Sequence, residues 1–142
     1  MNDASTPLSA LGAALAAFNH ARDWGQFHTP RDLAMALSVE VGEVLELFLW
    51  RAESAELPPA ERLREELGDV LICLVNLAQK VDVDLMDAAQ AKLALNAAKY
   101  PVERARGNAT KWSELGAAEA PPLPPVPERA DAPGAGPTEE LL

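Results

Sequence analysis

Two acidic pairs, Glu40-Val-Gly-Glu43 and, after a gap of 22 residues, Glu66-Leu-Gly-Asp69, are the residues of this chain best spaced for chemistry. Each pair is spaced i, i+3, so on a helix its two carboxylates project from one face. The face through the first pair reads Ala36, Glu40, Glu43, Leu47, Trp50. The face through the second reads Arg62, Glu66, Asp69, Cys73, Asn76, on a segment otherwise rich in Leu, Val and Ile. Carboxylates among apolar neighbours are costly to bury unless a cation accompanies them. Four converging acids without matching basic side chains therefore predict a divalent metal held by Glu40, Glu43, Glu66 and Asp69. Oxygen-only donors suit Mg²⁺ or Mn²⁺. A lone E-x-x-E on a helix is ordinarily a solvated face; the apolar flanks and the second pair on the next helix favour the metal. Gly42 and Gly68 each stand one residue before the second acid of a pair. Glycine inside a helix costs about 1 kcal/mol relative to alanine, so both positions predict close backbone approach or ligand access.

Other groups are candidates for what such a metal would serve. Lys92, Asn96 and Lys99 form an i, i+4, i+7 stripe, which reads equally as an exposed face or as a phosphate clamp, with Lys as point charge and Asn as donor. Trp24, Phe27 and Trp50 flank the two ends of the first acidic helix, where they serve core packing or form a wall for base stacking. His28 adjoins a helix cap and His20 reads as surface. No histidine follows an acid in E-x-x-H spacing, which argues against a di-iron carboxylate bundle. No Gly-rich phosphate loop, nucleophile elbow or Cys–His cluster supports another chemistry.

These residues need helices to position them, and four are legible. The first runs from about Pro7 to Arg22, with Thr6 as N-cap and Pro7 at the first helical position. Asp23–His28 breaks it. Thr29-Pro30-Arg31-Asp32 starts the second with a cap resembling a capping box, and this helix ends near Arg51. Its Leu33, Leu37, Val41, Val44 and Phe48 predict a buried stripe. Pro58-Pro59 opens the third, which ends near Lys80, and Asp84 caps a fourth from Leu85 to about Glu103, with Leu85, Ala89, Leu93 and Ala97 on one side. No strand pattern or internal repeat competes. The fold predicted is all-α, an antiparallel four-helix bundle. The third helix is apolar on nearly every face from Val70 to Ala78, apart from Asn76. A bundle of this size leaves each helix an outer face, so that face predicts a homo-oligomer.

From Ala117 onward the composition changes: seven of the twelve prolines fall there, with no aromatic residue. Such a segment cannot bury enough apolar area to offset its ordering entropy, so residues 1–116 are expected to fold and 117–142 to form a Pro-rich, acidic, disordered tail. Net charge is −10, with five acids and one Arg in the tail and −6 on the body. An acidic chain without a basic stripe is a poor partner for polymeric nucleic acid, whereas a small nucleotide is compatible, because bound metal reverses the local potential. The single Cys73 excludes an intrachain disulfide and fits a reducing compartment. Leu8–Phe18 lacks the basic leader and cleavage site of a signal peptide, and Val70–Leu77 is too short to span a bilayer. A soluble, cytoplasmic protein with no membrane partner is expected.

Taken together, Glu40-x-x-Glu43 and Glu66-x-x-Asp69 resemble the signature of the all-α, MazG-like nucleoside triphosphate pyrophosphohydrolases. The surrounding text is similar to the dCTP pyrophosphatase type in Arg22-Asp-Trp-Gly-Gln-Phe-His-Thr-Pro-Arg31, Glu40–Trp50, Glu65–Ile72 and Asn96-Ala-Ala-Lys-Tyr-Pro101. The likeness covers about residues 8–115. It implies a helical homo-oligomer, commonly a tetramer, that uses Mg²⁺ to cleave (deoxy)nucleoside triphosphates, dCTP or modified dNTPs among them, to monophosphate and pyrophosphate in nucleotide-pool sanitation. It implies metal at Glu40, Glu43, Glu66 and Asp69, a water oriented or deprotonated by Glu40 or Glu43, nucleotide contacts from Lys92 and Asn96, and a base enclosed by Trp24 and Trp50. Two departures bear on base preference rather than on the chemistry: Leu15 stands where such relatives carry a histidine, and Cys73 where they carry a tyrosine. The rival readings are a pyrophosphohydrolase for dUTP or a phosphoribosyl nucleotide, and a non-enzymatic helical oligomer whose acids are merely surface.

Deletion of residues 118–142 is expected to leave melting temperature and activity nearly unchanged, since that segment brings no apolar periodicity to a core. A thermal melt of the truncated chain checks this, and a fall beyond scatter would mean that the segment docks.

Overall fold

A computed structural model describes residues 6–52 and 56–115 of the chain. The expected tail, 117–142, lies outside the described residues. Five α-helices follow one another: α1 (Pro7–His20), α2 (Pro30–Glu46), α3 (Ala60–Val81), α4 (Leu85–Lys99) and the short α5 (Val102–Ala105). Single 3₁₀ turns stand at Trp24–Gln26 and Trp112–Glu114. Among the described residues there is no strand, as expected.

The helix starts are built by the side chains that the sequence singles out. Thr6 accepts from the Ser9 amide ahead of Pro7. The Thr29 hydroxyl oxygen accepts from the Asp32 amide at 3.1 Å while its O–H donates to Asp32 Oδ2 at 2.6 Å, so two polar groups at the start of α2 are satisfied locally. Asp84 Oδ1 accepts from the amides of Met86 and Asp87. The helix ends differ from expectation. α2 stops at Glu46 and unwinds through turns that leave Trp50 at φ 60°, rather than continuing to Arg51. α4 stops at Lys99 instead of Glu103, because Pro101 lacks an amide hydrogen and disfavours helical geometry at Tyr100; Val102–Ala105 is a separate turn. α3 ends in a left-handed Asp82 at φ 56°, with the Val83 amide donating back to the Ala78 carbonyl at 3.0 Å.

The chain divides into two compact units, Met1–Ala88 and Ala89–Leu142. In the first, α2 packs along α3 and α1 packs against α3. Leu15 on α1, Leu33 on α2 and Val75 and Ala78 on α3 are its most secluded apolar residues. The inward side of α2 corrects the expected stripe. Leu33 is buried and Leu37 and Val44 are half-buried, but Val41 and Phe48 are exposed, because Ala36, Glu40 and Leu47 share the inner side instead. In the second unit, the secluded residue of α4 is Leu95, with Ala91 and Lys99 half-buried, whereas Leu93, expected on the inner side, is 69% exposed. Lys99 Nζ stands 5.0 Å from the Trp112 ring centre, a cation–π contact that draws the ammonium inward.

The two acid-pair glycines are not sites of close backbone approach among the described residues: a Cβ built at Gly42 or Gly68 would meet no atom within 4 Å. Gly42→Ala and Gly68→Ala are therefore expected to stabilise their helices by about 0.5–1 kcal/mol each. Equilibrium denaturation reads this directly, and a loss of stability would place a partner surface against those positions.

Candidate functional site

The contact between α2 and α3 carries the acids. Glu40 and Glu43 on α2 and Glu66 on α3 each present an oxygen within 4.8 Å of the other two. Oxygens around a single divalent ion lie about 3–5 Å apart, so this donor set fits one cation. Glu66 is the buried member at 6% exposure, Glu40 is half-buried and Glu43 exposed. Asp69, one turn beyond Glu66, is exposed and stands outside this triad, although its charge acts on Glu66.

The electrostatics follow from this crowding. Burial raises the Glu66 carboxyl above its ordinary value, and the charge of Glu43 adds to the rise. Arg62, whose Nη2 donates to Glu66 Oε1 at 3.1 Å, opposes it. A carboxyl hydrogen bond with Glu43 and the charge of Asp69 raise it further. Burial and then the charges of Glu40 and Asp69 push the Cys73 thiol up, so it stays protonated.

Beside the triad lies a cavity of about 620 Å³, whose wall includes Glu40 and Asp69. Its lip is aromatic. Phe18 and Trp24 meet edge to face at 5.7 Å, Trp24 and His28 at 6.3 Å, and the Arg22 guanidinium lies 3.5 Å from the Phe18 ring centre. The left-handed Asp23, φ 52°, turns the chain from α1 into the 3₁₀ turn that holds Trp24 and Phe27 at this lip. Trp24 is thus brought together with Glu40 and Asp69. Trp50 is not: it is wholly exposed and does not line the cavity. Lys92 and Asn96 lie on α4 in the second unit, Lys92 exposed and Asn96 half-buried.

From sequence, Leu15 and Cys73 bear on base preference, and Cys73 and Asn76 lie on the acidic face of the third helix, but Asn19 has no expected role. Leu15, Asn19, Cys73 and Asn76 line the cavity, with Asn19 Nδ2 donating to Asn76 Oδ1 at 2.9 Å. The available signal was a polar residue breaking an apolar face: Asn76 within Val70–Ala78, and Asn19 four residues after Leu15. His28, expected to serve only the local cap, also joins the lip.

An all-α chain with a carboxylate cluster between two packed helices and an aromatic-lipped cavity beside it is the class that this fold and site define. Residues 35–115 match the model of the MazG-like family, and the chain belongs to that family. It is similar over 106 residues, 70% of its length, to dCTP pyrophosphatase 1 of Mus musculus at 48% identity and of Homo sapiens at 47%. The chain spans 62% of the length of these curated relatives. It is also similar to the crystal structure of a pyrophosphatase from Archaeoglobus fulgidus, with a TM-score of 0.66 and 32% identity over 71% of this chain and 98% of that one.

The raised carboxyl of Glu66 gives the triad a pH signature. In the metal-free protein Glu66 holds its proton more tightly than in the unfolded chain, so its stabilising contribution is complete below the ordinary value of 4.5 and is lost as pH rises through the higher folded-state value. A cation needs the carboxylate, so affinity for a divalent cation is expected to rise over that window, with proton release on binding. Titration calorimetry in two buffers of different ionisation enthalpy measures the release. Glu66→Gln should abolish it while raising the metal-free melting temperature at neutral pH.

Proposed function

We propose that the chain is a metal-dependent nucleoside triphosphate pyrophosphohydrolase that releases monophosphate and pyrophosphate. The observation that carries this reading is the placement of Glu40 in both the oxygen triad and the wall of the aromatic-lipped cavity. A reacting phosphate and a stacked base could then be served side by side. Membership of the MazG-like family and the names of the relatives support it. The substrate class proposed is (deoxy)nucleoside triphosphates, dCTP or modified dNTPs among them, with a role in pool sanitation.

Glu40, Glu43 and Glu66 would hold Mg²⁺, with Mn²⁺ as a substitute and Asp69 completing the acidic wall. When bound, that ion supplies Lewis-acid polarisation and charge neutralisation at the polyphosphate. Glu40 or Glu43 orients a water and accepts its proton as the oxygen approaches the α phosphorus in line. Trp24 presents its ring to the base, and Trp50 is proposed as a second base contact. Lys92 offers a point charge to the outer phosphates, and Asn96 a carboxamide donor. Release of pyrophosphate as one piece follows if the outer phosphates are held together while the α phosphorus is presented to the water.

Large apolar side chains stand exposed on the helices, Met35, Val39 and Leu45 on α2 and Leu67 and Leu71 on α3. They support a homo-oligomer, proposed as a tetramer. No helix among the described residues is long and apolar enough to cross a membrane, and a cytoplasmic location is proposed.

Incubating a deoxynucleoside triphosphate with protein and Mg²⁺ should yield monophosphate and pyrophosphate with little orthophosphate, and EDTA should stop the reaction. Diphosphate as first product would overturn the mechanism. Glu43→Gln should reduce turnover to background while leaving the helical fold intact or stabilised, because it removes one charge from a crowded cluster together with a metal donor. Wild-type turnover of that variant at saturating Mg²⁺ would remove Glu43 from the site.

A further inference from the structure

We propose that the Asn19–Asn76 carboxamide pair is the element of this chain that reads the hydrogen-bonding edge of the substrate's base. The inference rests on the nucleotide reading above and deepens it. Both residues are half-buried, both line the cavity that Trp24 overhangs, and they are joined across α1 and α3 by the 2.9 Å bond from Asn19 Nδ2 to Asn76 Oδ1. Each carboxamide carries two N–H donors and a two-lone-pair acceptor. The bond between them uses one donor of Asn19 and one lone pair of Asn76. Among the described residues, no protein group bonds Asn19 Oδ1 or Asn76 Nδ2, and no polar side-chain atom is both sealed from solvent and unpartnered. One carbonyl oxygen, Asn19 Oδ1, and one amide nitrogen, Asn76 Nδ2, are left wholly unengaged by the protein for whatever enters the cavity.

The mutual bond suits the pair to a base that carries an adjacent donor and acceptor and sets it against one that does not. A single asparagine can rotate its amide to suit either arrangement of donor and acceptor. Two asparagines bonded to each other can exchange roles only together, and either arrangement leaves the carbonyl of one and the amide of the other unengaged. The pairing edge of every nucleobase carries an adjacent donor and acceptor, so the pair can meet it with two hydrogen bonds. The neighbouring wall residues Leu15 and Cys73 offer no strong hydrogen bond to compete. Asp32 Oδ2 is occupied by the Thr29 hydroxyl, and Glu40 and Asp69 repel an electron-rich carbonyl edge. A base without the edge donor would leave the free carbonyl of the pair unbonded in a half-buried wall, which is how a polar site rejects an isostere.

The test compares the full-length protein with Asn19→Ala, Asn76→Ala and the double variant Asn19→Leu/Asn76→Leu, which keeps the wall's volume and is checked for helicity. Substrates are the four natural deoxynucleoside triphosphates and those of 2-pyrimidinone and unsubstituted purine, which lack the exocyclic group at C4 or C6 and so offer ring acceptors but no donor on the pairing edge. For the preferred natural substrate, KM should rise about 10- to 100-fold with kcat nearly constant. For the donor-free analogues, which can engage only the amide of the pair, KM should rise several-fold less, so the ranking of bases flattens. An equal loss on both sets, or an unchanged ranking, would overturn the proposal while leaving pyrophosphohydrolysis standing. If the wild-type protein hydrolyses none of the six, the enzymatic reading falls, and calorimetric binding of the corresponding nucleosides then reads the pair. Base selectivity that the variants lose would support the pair, and no binding of any nucleoside would overturn it.

Discussion

Three carboxylates share one small volume between α2 and α3, and much else in the first unit answers to their repulsion. Like charges so close raise one another's proton affinity, and burial of Glu66 adds to the effect. The seam between the two helices cannot be sealed with aliphatic side chains alone, because Glu40 and Glu66 occupy positions that would otherwise pack. Arg62 relieves part of the strain from within α3 itself, through an i, i+4 contact that is more than half exposed on the arginine side. Such a contact is weak. The cluster is thus left short of positive charge, a condition that a divalent ion satisfies and a second arginine would abolish.

The aromatic lip depends on the same framework by a different route. A single left-handed residue, Asp23, redirects the chain after α1, so that Phe18 at the end of the helix and Trp24 beyond it meet edge to face. Gln26 Nε2 donates to Asp23 Oδ2 at 2.9 Å and to its carbonyl at 3.0 Å, which holds the turn without borrowing atoms from the cavity. A short local motif therefore positions the ring wall, whereas the acids are positioned by the longer-range packing of α2 on α3.

What could be read from the chain alone divides along that line. Helix starts were legible because Thr6, Thr29 and Asp84 act on amides two or three residues away. The acidic pairs were legible because an i, i+3 spacing fixes a common face whatever the helix packs against. The expected α2 stripe fails at Val41 and Phe48: a wide apolar helix offers more than one candidate inner side, and the seam with α3 takes the one that carries Glu40. Trp24 and Trp50 both flank α2 in sequence, but α2 ends at Glu46 and only Trp24 lines the cavity. Asn19 and Asn76 stand 57 positions apart, and nothing local announces a bond that exists only once α1 lies on α3.

The three indoles of this chain sit in three different dielectric settings. Trp24 is at the lip of a cavity, Trp112 lies under an ammonium group, and Trp50 stands wholly in water at a left-handed backbone position. An indole excited in water emits at longer wavelength than one shielded by protein, so the red edge of the intrinsic emission belongs chiefly to Trp50. Any event that covers the end of α2, whether a second copy of the chain or a nucleotide, would move that edge to shorter wavelength. The chain therefore carries its own optical label at Trp50, the indole that its fold leaves wholly exposed.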